Sequence, residues 1–433
     1  MKITRLKING LFGLYDYDLD FARHGDDFTI LTSPNGYGKT TLLRIINSLD
    51  VKRLLFLYTL KYNSLTLWFD DDSEIEAHEI DDVPKGLKDF DARKNQRRGL
   101  LLIWNSKGSE LCRFEYRPEL IREAMHIAYR KITSGRHVVG DVIEEDIEYY
   151  STGEAGEVLN TVIAQMLDQE QFLLQLATIQ TDFIGANRIY TVSRRDRVVR
   201  QRYEQPILQV VYELKEMLTR KVMEFQNNFQ RLDSKLIDKL LEDKGTEIDE
   251  ATYSQKAATL NRLIEELTSF GLTNKQNLPV FQPGKGRILD VYLSLMEEKL
   301  SYYEEFLPLV KLFNKNVQQK KFANKTIRLS AQHGIRIESD NGDILSASQL
   351  STGEQNQIVL LYDLIFKTPE NSILLIDEPE SSLHVAWQND FVSDMQVIAS
   401  KKNLQIIVAT HSPIIVSNTY DEKVFDLFYL QAK

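Results

Sequence analysis

The sequence predicts an α/β fold whose parallel strands come from both ends of the chain, with a helical arm inserted between them. Three observations predict it. Phe28–Thr32 has strand character and leads through Ser33, Pro34, Asn35, Gly36, Tyr37, Gly38, Lys39, Thr40 and Thr41 into a helical pattern with Leu42, Leu43, Ile45, Ile46 and Leu49. Far downstream, 372–376 and 404–409 are apolar runs of the kind that form strands buried on both faces of a parallel sheet. Between these regions apolar residues recur every three or four positions, the period of a helix that buries one face.

The chain has 433 residues, enough for two or three structural units and a sizeable core. Hydrophobic residues make up 42% and charged residues 27%, which is a globular and not a disordered balance. The lone Cys112 forms no intrachain disulfide and no zinc set, so a reducing, cytoplasmic location is expected. Met1 opens onto an alternating strand pattern, unlike a signal peptide, and no stretch approaches the roughly 18 apolar residues of a membrane span. A net charge of −10 excludes a generally basic coat for nucleic acid and leaves local basic patches open.

In chain order, residues 1–190 read as a β-rich lobe. Strands are expected over 2–9, 15–21, 28–32, 65–69, 100–104 and 111–116, with Gly10 and Gly13 breaking the first pair. Asp70–Arg98 reads as a hydrophilic loop, acidic at its front and basic at its end, with no chemistry assigned to it. Residues 118–176 turn helical; Ser151, Thr152, Gly153 and Glu154 inside them read as a loop, and 182–190 returns to the sheet.

Residues 191–325 form the arm. Val211, Leu214, Leu218, Val222, Phe225, Phe229, Leu232, Leu236 and Leu240 mark one long amphipathic helix, and Leu260 to Phe270 a shorter one. The stripe from Ile288 to Val317 predicts a second long helix, kinked at Pro308. The period stays nearer 3.6 than 3.5, which favours a packed helical hairpin over an extended supercoil. At its root Arg194, Arg195, Arg197, Arg200 and Arg202 crowd together, either as a phosphate contact or as a solvated face paired with nearby acids. Residues 326–433 return to the sheet: strands over 326–329 and 335–338, a hairpin signal at Asn341-Gly342, then a helix over 354–366.

The chemistry concentrates in two places. Gly36 and Gly38 let the backbone curl until its N–H groups point inward, and the following helix N-terminus adds positive potential, so the loop forms a nest for phosphates. Lys39 would reach the β- and γ-phosphates of a nucleotide, and Thr40 would place its hydroxyl on Mg²⁺. Ser33 stands where this loop type usually begins with glycine. The strand over 372–376 delivers Asp377, expected to hold Mg²⁺, and Glu378, expected to orient and deprotonate the attacking water. Ser351 to Gln355 reads by itself as a helix N-cap with an acidic first turn, and His411, within Thr410-His411-Ser412-Pro413, as a loop histidine after a strand.

The order of these pieces resembles the ABC-type ATPases of the SMC and recombination-repair group. The resemblance implies an ABC/SMC-type P-loop ATPase head assembled from both chain ends, with an inserted helical hairpin arm. It implies ATP and Mg²⁺ as ligands, with Asn35, Gly36, Gly38, Lys39, Thr40 and Thr41 on the nucleotide. Ser351, Gly353 and Glu354 would be a signature that contacts the ATP held by the other protomer's Lys39, so a homodimer sandwiching two ATP molecules is implied, with higher oligomers open. Glu380 to Leu383 would be the D-loop, His411 the switch histidine, and Gln180 the Q-loop glutamine on the metal.

Within that group, the phrasing Ile376-Asp377-Glu378-Pro379-Glu380-Ser381-Ser382-Leu383 and Thr410-His411-Ser412-Pro413 resembles the OLD-like ATPases of bacterial anti-phage systems, including the ATPase subunits of PARIS and Septu. Relatives with a fused Toprim nuclease carry it after the ATPase, whereas Lys433 ends this sequence about one strand–helix unit past His411. A separate nuclease effector, Toprim or HNH, is therefore expected, with a phage protein or DNA as trigger. A DNA repair ATPase acting directly on DNA is the alternative, and a stand-alone nuclease has no motif to support it.

Overall fold

The computed structural model describes residues 1–24, 27–80, 99–133, 153–185, 206–241, 245–319, 322, 324–383, 385–417 and 423–431. The arginine cluster, Ser151 and Thr152 lie outside these residues. Contacts divide the chain into two compact units, 1–188 with 368–433, and 189–367. Residues 326–367, grouped with the C-terminal lobe in the sequence reading, thus cluster with the helical segment.

The first unit opens on β1 (Ile3–Leu11), β2 (Tyr15–Asp20) and β3 (Phe28–Thr32), then α1 (Lys39–Asn47) and α2 (Leu55–Thr59). An antiparallel meander follows: β4 (Ser64–Phe69), β5 (Ser73–Ile80), β6 (Gly99–Ser106) and β7 (Ser109–Tyr116). With β1 and β2 these form a sheet of six strands in the order β2-β1-β4-β5-β6-β7. β5 corrects the expectation of one long loop from Asp70. Ile75 and Ala77 are buried while Glu74 and Glu76 face outward, so the acids are the solvent side of an alternating strand. Helices α3 (Pro118–Thr133), α4 (Gly153–Leu167) and α5 (Glu170–Leu176) follow. Gly153 and Glu154 therefore open a helix rather than lie in a loop.

The second sheet of this unit is built from distant segments. After β8 (Thr181–Ile184) the chain leaves for the second unit, and it returns as β12 (Ile373–Asp377), α11 (Val385–Lys402), β13 (Gln405–Ala409), α12 (Pro413–Ser417), β14 (Val424–Asp426) and α13 (Leu427–Gln431). The order is β14-β3-β13-β12-β8, every pair parallel. β12 and β13 are buried along their whole length, which is why both read as unbroken apolar runs. Asp377 pairs with Ala409, Ala409 with Leu31, and Asp426 with Thr32, so one carboxyl edge gathers the ends of four strands. That edge is where open parallel sheets bind ligands.

The second unit contains α6 (Pro206–Leu241), whose 36 residues extend about 54 Å, and α7 (Glu250–Ser269), capped by Asp249, which accepts from the Thr252 N–H at 2.9 Å. α8 (Gly286–Leu300) and α9 (Phe306–Gln319) replace the single kinked helix expected from Ile288. The break is a tight turn at Ser301–Tyr303, where the buried Tyr303 donates to the Leu272 carbonyl at 2.7 Å. Pro308 sits in the first turn of α9, where proline breaks no intrahelical hydrogen bond. β9 (Lys325–Ser330), β10 (Gly334–Ser339) and β11 (Ile344–Leu345) form an antiparallel sheet, turned at Gly342, before α10 (Thr352–Tyr362). Among the described residues no helix is long and apolar enough to cross a membrane.

Candidate functional site

The loop from Ser33 to Gly38 leaves the carboxyl end of β3 and enters α1. Gly36 and Gly38 have φ of 90° and 80°, a region that costs a side-chain-bearing residue about 1–2 kcal/mol. Ser33 is not in that region, so serine replaces the usual glycine without backbone strain. It also has a task. The Lys39 ammonium is buried and donates to the Ser33 carbonyl at 2.8 Å, the Ser33 hydroxyl at 3.2 Å and the Pro34 carbonyl at 3.2 Å. Burial lowers the Lys39 pKa, and the carboxylates of Glu378, Asp377, Glu380 and Asp426 work against that shift. Asn35 and Gly36 are exposed at the loop tip, and Thr41 is half-buried in the first turn of α1.

Thr40, in the first turn of α1, meets Asp377 at the carboxyl end of β12. Its hydroxyl lies 2.9 and 3.1 Å from the two carboxylate oxygens, joining residues 337 positions apart. Burial pushes the Asp377 carboxyl above the usual carboxylate range; the Thr40 hydroxyl opposes this and Glu378 adds to it. A hydroxyl beside a carboxylate is an all-oxygen donor pair, the hard set that suits Mg²⁺. Glu378 follows in left-handed backbone with φ of 45°, its N–H donating to the Ala409 carbonyl at 2.8 Å. Such strain in a residue other than glycine concentrates at functional sites.

His411 is exposed just past β13, and its backbone N–H donates to Glu380 at 2.6 Å. Gln180 is not brought to this edge. Its carbonyl accepts from the Ile373 N–H at 2.8 Å, which places it before the amino end of β8, roughly 16 Å along the strands from Asp377. The end of β8 that does reach the edge is Ile184, beside Ile376. In the second unit, Ser351 caps α10 in a reciprocal box: Glu354 accepts from the Ser351 N–H at 2.7 Å, and the Ser351 hydroxyl accepts from the Glu354 N–H at 3.4 Å. A side chain at Gly353 would meet open space.

Three further residues, which carry no motif, add to these sites, each within its own unit. Lys325 grips Glu354 within the second unit. Asp426 ends the edge strand beside β3 and contributes to the field at Lys39. Phe12, 42% exposed, lies with Leu11 against Gly38 and offers an aromatic face beside the phosphate loop. None has a local motif; only the isolated aromatic after Leu11, between two glycines, gives a sequence signal.

Solved structures similar to this chain include an SMC head bound to the C-terminal winged-helix domain of ScpA, at 11% identity over 98% of this chain and 97% of that one, with a TM-score of 0.37. The Pyrococcus furiosus SMC head with an extended coiled coil, bound to the ScpA C-terminal domain, gives 13% identity, 96% and 91% coverage and a TM-score of 0.34. The Thermotoga maritima SMC head gives 13%, 97% and 92%, with 0.31. No curated protein matches. The AAA ATPase domain family model matches residues 1–416, nearly the whole chain, and its match spans both the Ser33–Thr41 loop and the Asp377-Glu378 pair. This chain belongs to the AAA ATPase domain family, and it is an ATPase.

Proposed function

We propose that the chain binds Mg²⁺-ATP at the carboxyl edge of its parallel sheet and hydrolyses it while paired with a second copy. The observation that carries this reading is the contact of Thr40 with Asp377, which unites the phosphate loop with the acidic strand end. Lys39 and the loop N–H groups take the β- and γ-phosphates; Phe12 supplies a stacking face for the base. Thr40 and Asp377 would hold Mg²⁺, which would supply charge neutralisation for the phosphate oxygens. Glu378 takes a proton from water, the water oxygen bonds to the γ-phosphorus, and the bond to the β-phosphate oxygen breaks to give ADP and phosphate.

Ser351, Gly353 and Glu354 complete the site on the opposite copy, so ATP acts as both substrate and bridge. The wider role rests on the sequence resemblance to OLD-like ATPases: a scaffold that holds and releases a separate Toprim or HNH nuclease during phage infection. The deciding experiment purifies tagged Glu378→Gln from its own operon with ATP and identifies co-purifying material by mass spectrometry. A stoichiometric nuclease establishes the scaffold reading; nucleic acid alone, lost on raising salt, replaces it with the DNA repair reading.

A further inference from the structure

The turn after Glu378 and the loop that carries His411 are tied into a closed ring. Glu380 Oε2 accepts from the Thr410 hydroxyl at 2.7 Å, and its Oε1 accepts from the His411 N–H at 2.6 Å. The Thr410 hydroxyl in turn accepts from the Ser412 N–H at 2.9 Å, and the Ser412 hydroxyl donates to Gln388 Oε1 at 2.6 Å. Gln388 Nε2 donates to the Leu383 carbonyl at 3.2 Å, and the Leu383 N–H returns to the Glu380 carbonyl at 3.2 Å. Thr410, Ser412, Gln388 and Leu383 are all buried, so these bonds exchange little with water.

We infer that Glu380 is the positioning residue of His411: its carboxylate locks the histidine's backbone to the Pro379–Ser382 turn, so the turn and the histidine move as one body. The geometry leaves few alternatives for the loop. Both carboxylate oxygens are used, one on each of two successive residues, and hydrogen bonds of an N–H or O–H to a carboxylate are about twice as strong as neutral ones. The inference rests on the reading of His411 as part of the ATP site only for its effect on turnover.

Glu380→Gln tests it in the full chain. The amide keeps the shape but offers one acceptor where two donors are served. In nucleotide-free protein, hydrogen exchange of the His411 amide should quicken at least about tenfold, with the β13 amides unchanged. Thr410→Val, which removes only the hydroxyl link, should give a smaller rise in the same segment. In ATP hydrolysis, Glu380→Gln should lower kcat roughly tenfold with KM within about twofold, and should change kcat less than about twofold in a His411→Ala background. Unaltered exchange at His411 overturns the clamp whatever the activity. Losses in kcat that multiply in the double variant overturn positioning through His411, even where exchange has responded.

Discussion

Lys325 and Glu354 form a half-buried ion pair in the second unit, the ammonium lying 3.0 and 3.2 Å from the two carboxylate oxygens. Glu354 is at the same time the capping partner of Ser351, so a lysine on β9 fixes the entry to α10. Lys325→Met should therefore loosen the Ser351 cap and the first turn of α10 without touching the phosphate loop. Expected are a loss of about 1–2 kcal/mol in stability, unchanged ATP affinity, and a clearly weakened ATP-dependent dimer by light scattering.

The same pair sets a pH dependence. Burial opposes the charge of Glu354, but the Lys325 ammonium and the Ser351 N–H outweigh it and hold its pKa below the ordinary 4.5. A carboxyl depressed by folding contributes stability that is present above pH 4.5 and lost as pH falls through its lowered value. The Tm gap between wild type and Lys325→Met should thus be constant at neutral pH and close only below 4.5.

At the phosphate loop, Lys39→Met should weaken ATP binding at least about 100-fold in calorimetry, because it removes a buried ammonium that the loop itself holds in place. Ser33→Gly should cost less than about threefold, since the Ser33 and Pro34 carbonyls still orient Lys39 when the hydroxyl is gone. A large loss for Ser33→Gly would mean that the hydroxyl itself contacts nucleotide.

Glu378→Gln should bind ATP with near wild-type affinity and hydrolyse it at least about 1000-fold more slowly, accumulating an ATP-bound dimer on gel filtration. A variant that stays monomeric with ATP removes the sandwich from the reading.

Stability of the second unit should depend on Gly334 far more than on Gly342. Both have positive φ, at 71° and 87°, but a Cβ at Gly334 would lie 2.4 Å from the Val211 carbonyl oxygen while one at Gly342 meets nothing. Gly342→Ala should cost about 1 kcal/mol from strain alone, and Gly334→Ala several times that, because α6 must move away from β10. Urea unfolding of the two variants side by side decides it.

By itself the sequence determined the elements whose signal is local. β3, the loop through Gly38 and α1 follow from strand character, glycines and helical spacing within a single stretch, and β12 and β13 from apolar runs that only a doubly covered parallel sheet would bury. Tertiary structure decided what depends on which end of an element meets which neighbour. Gln180 lies near β8 in sequence but at its amino end, because parallel register with β12 sends only the Ile184 end toward Asp377. The break between α8 and α9 falls at Ser301–Tyr303, where Tyr303 bonds the Leu272 carbonyl, and not at Pro308. The hold of Lys325 on Glu354 and of Glu380 on His411 joins residues 29 and 31 positions apart, where no periodicity operates. Local patterns encode which backbone a segment adopts; the partners of a buried charge are chosen only when the sheets and helices close around it.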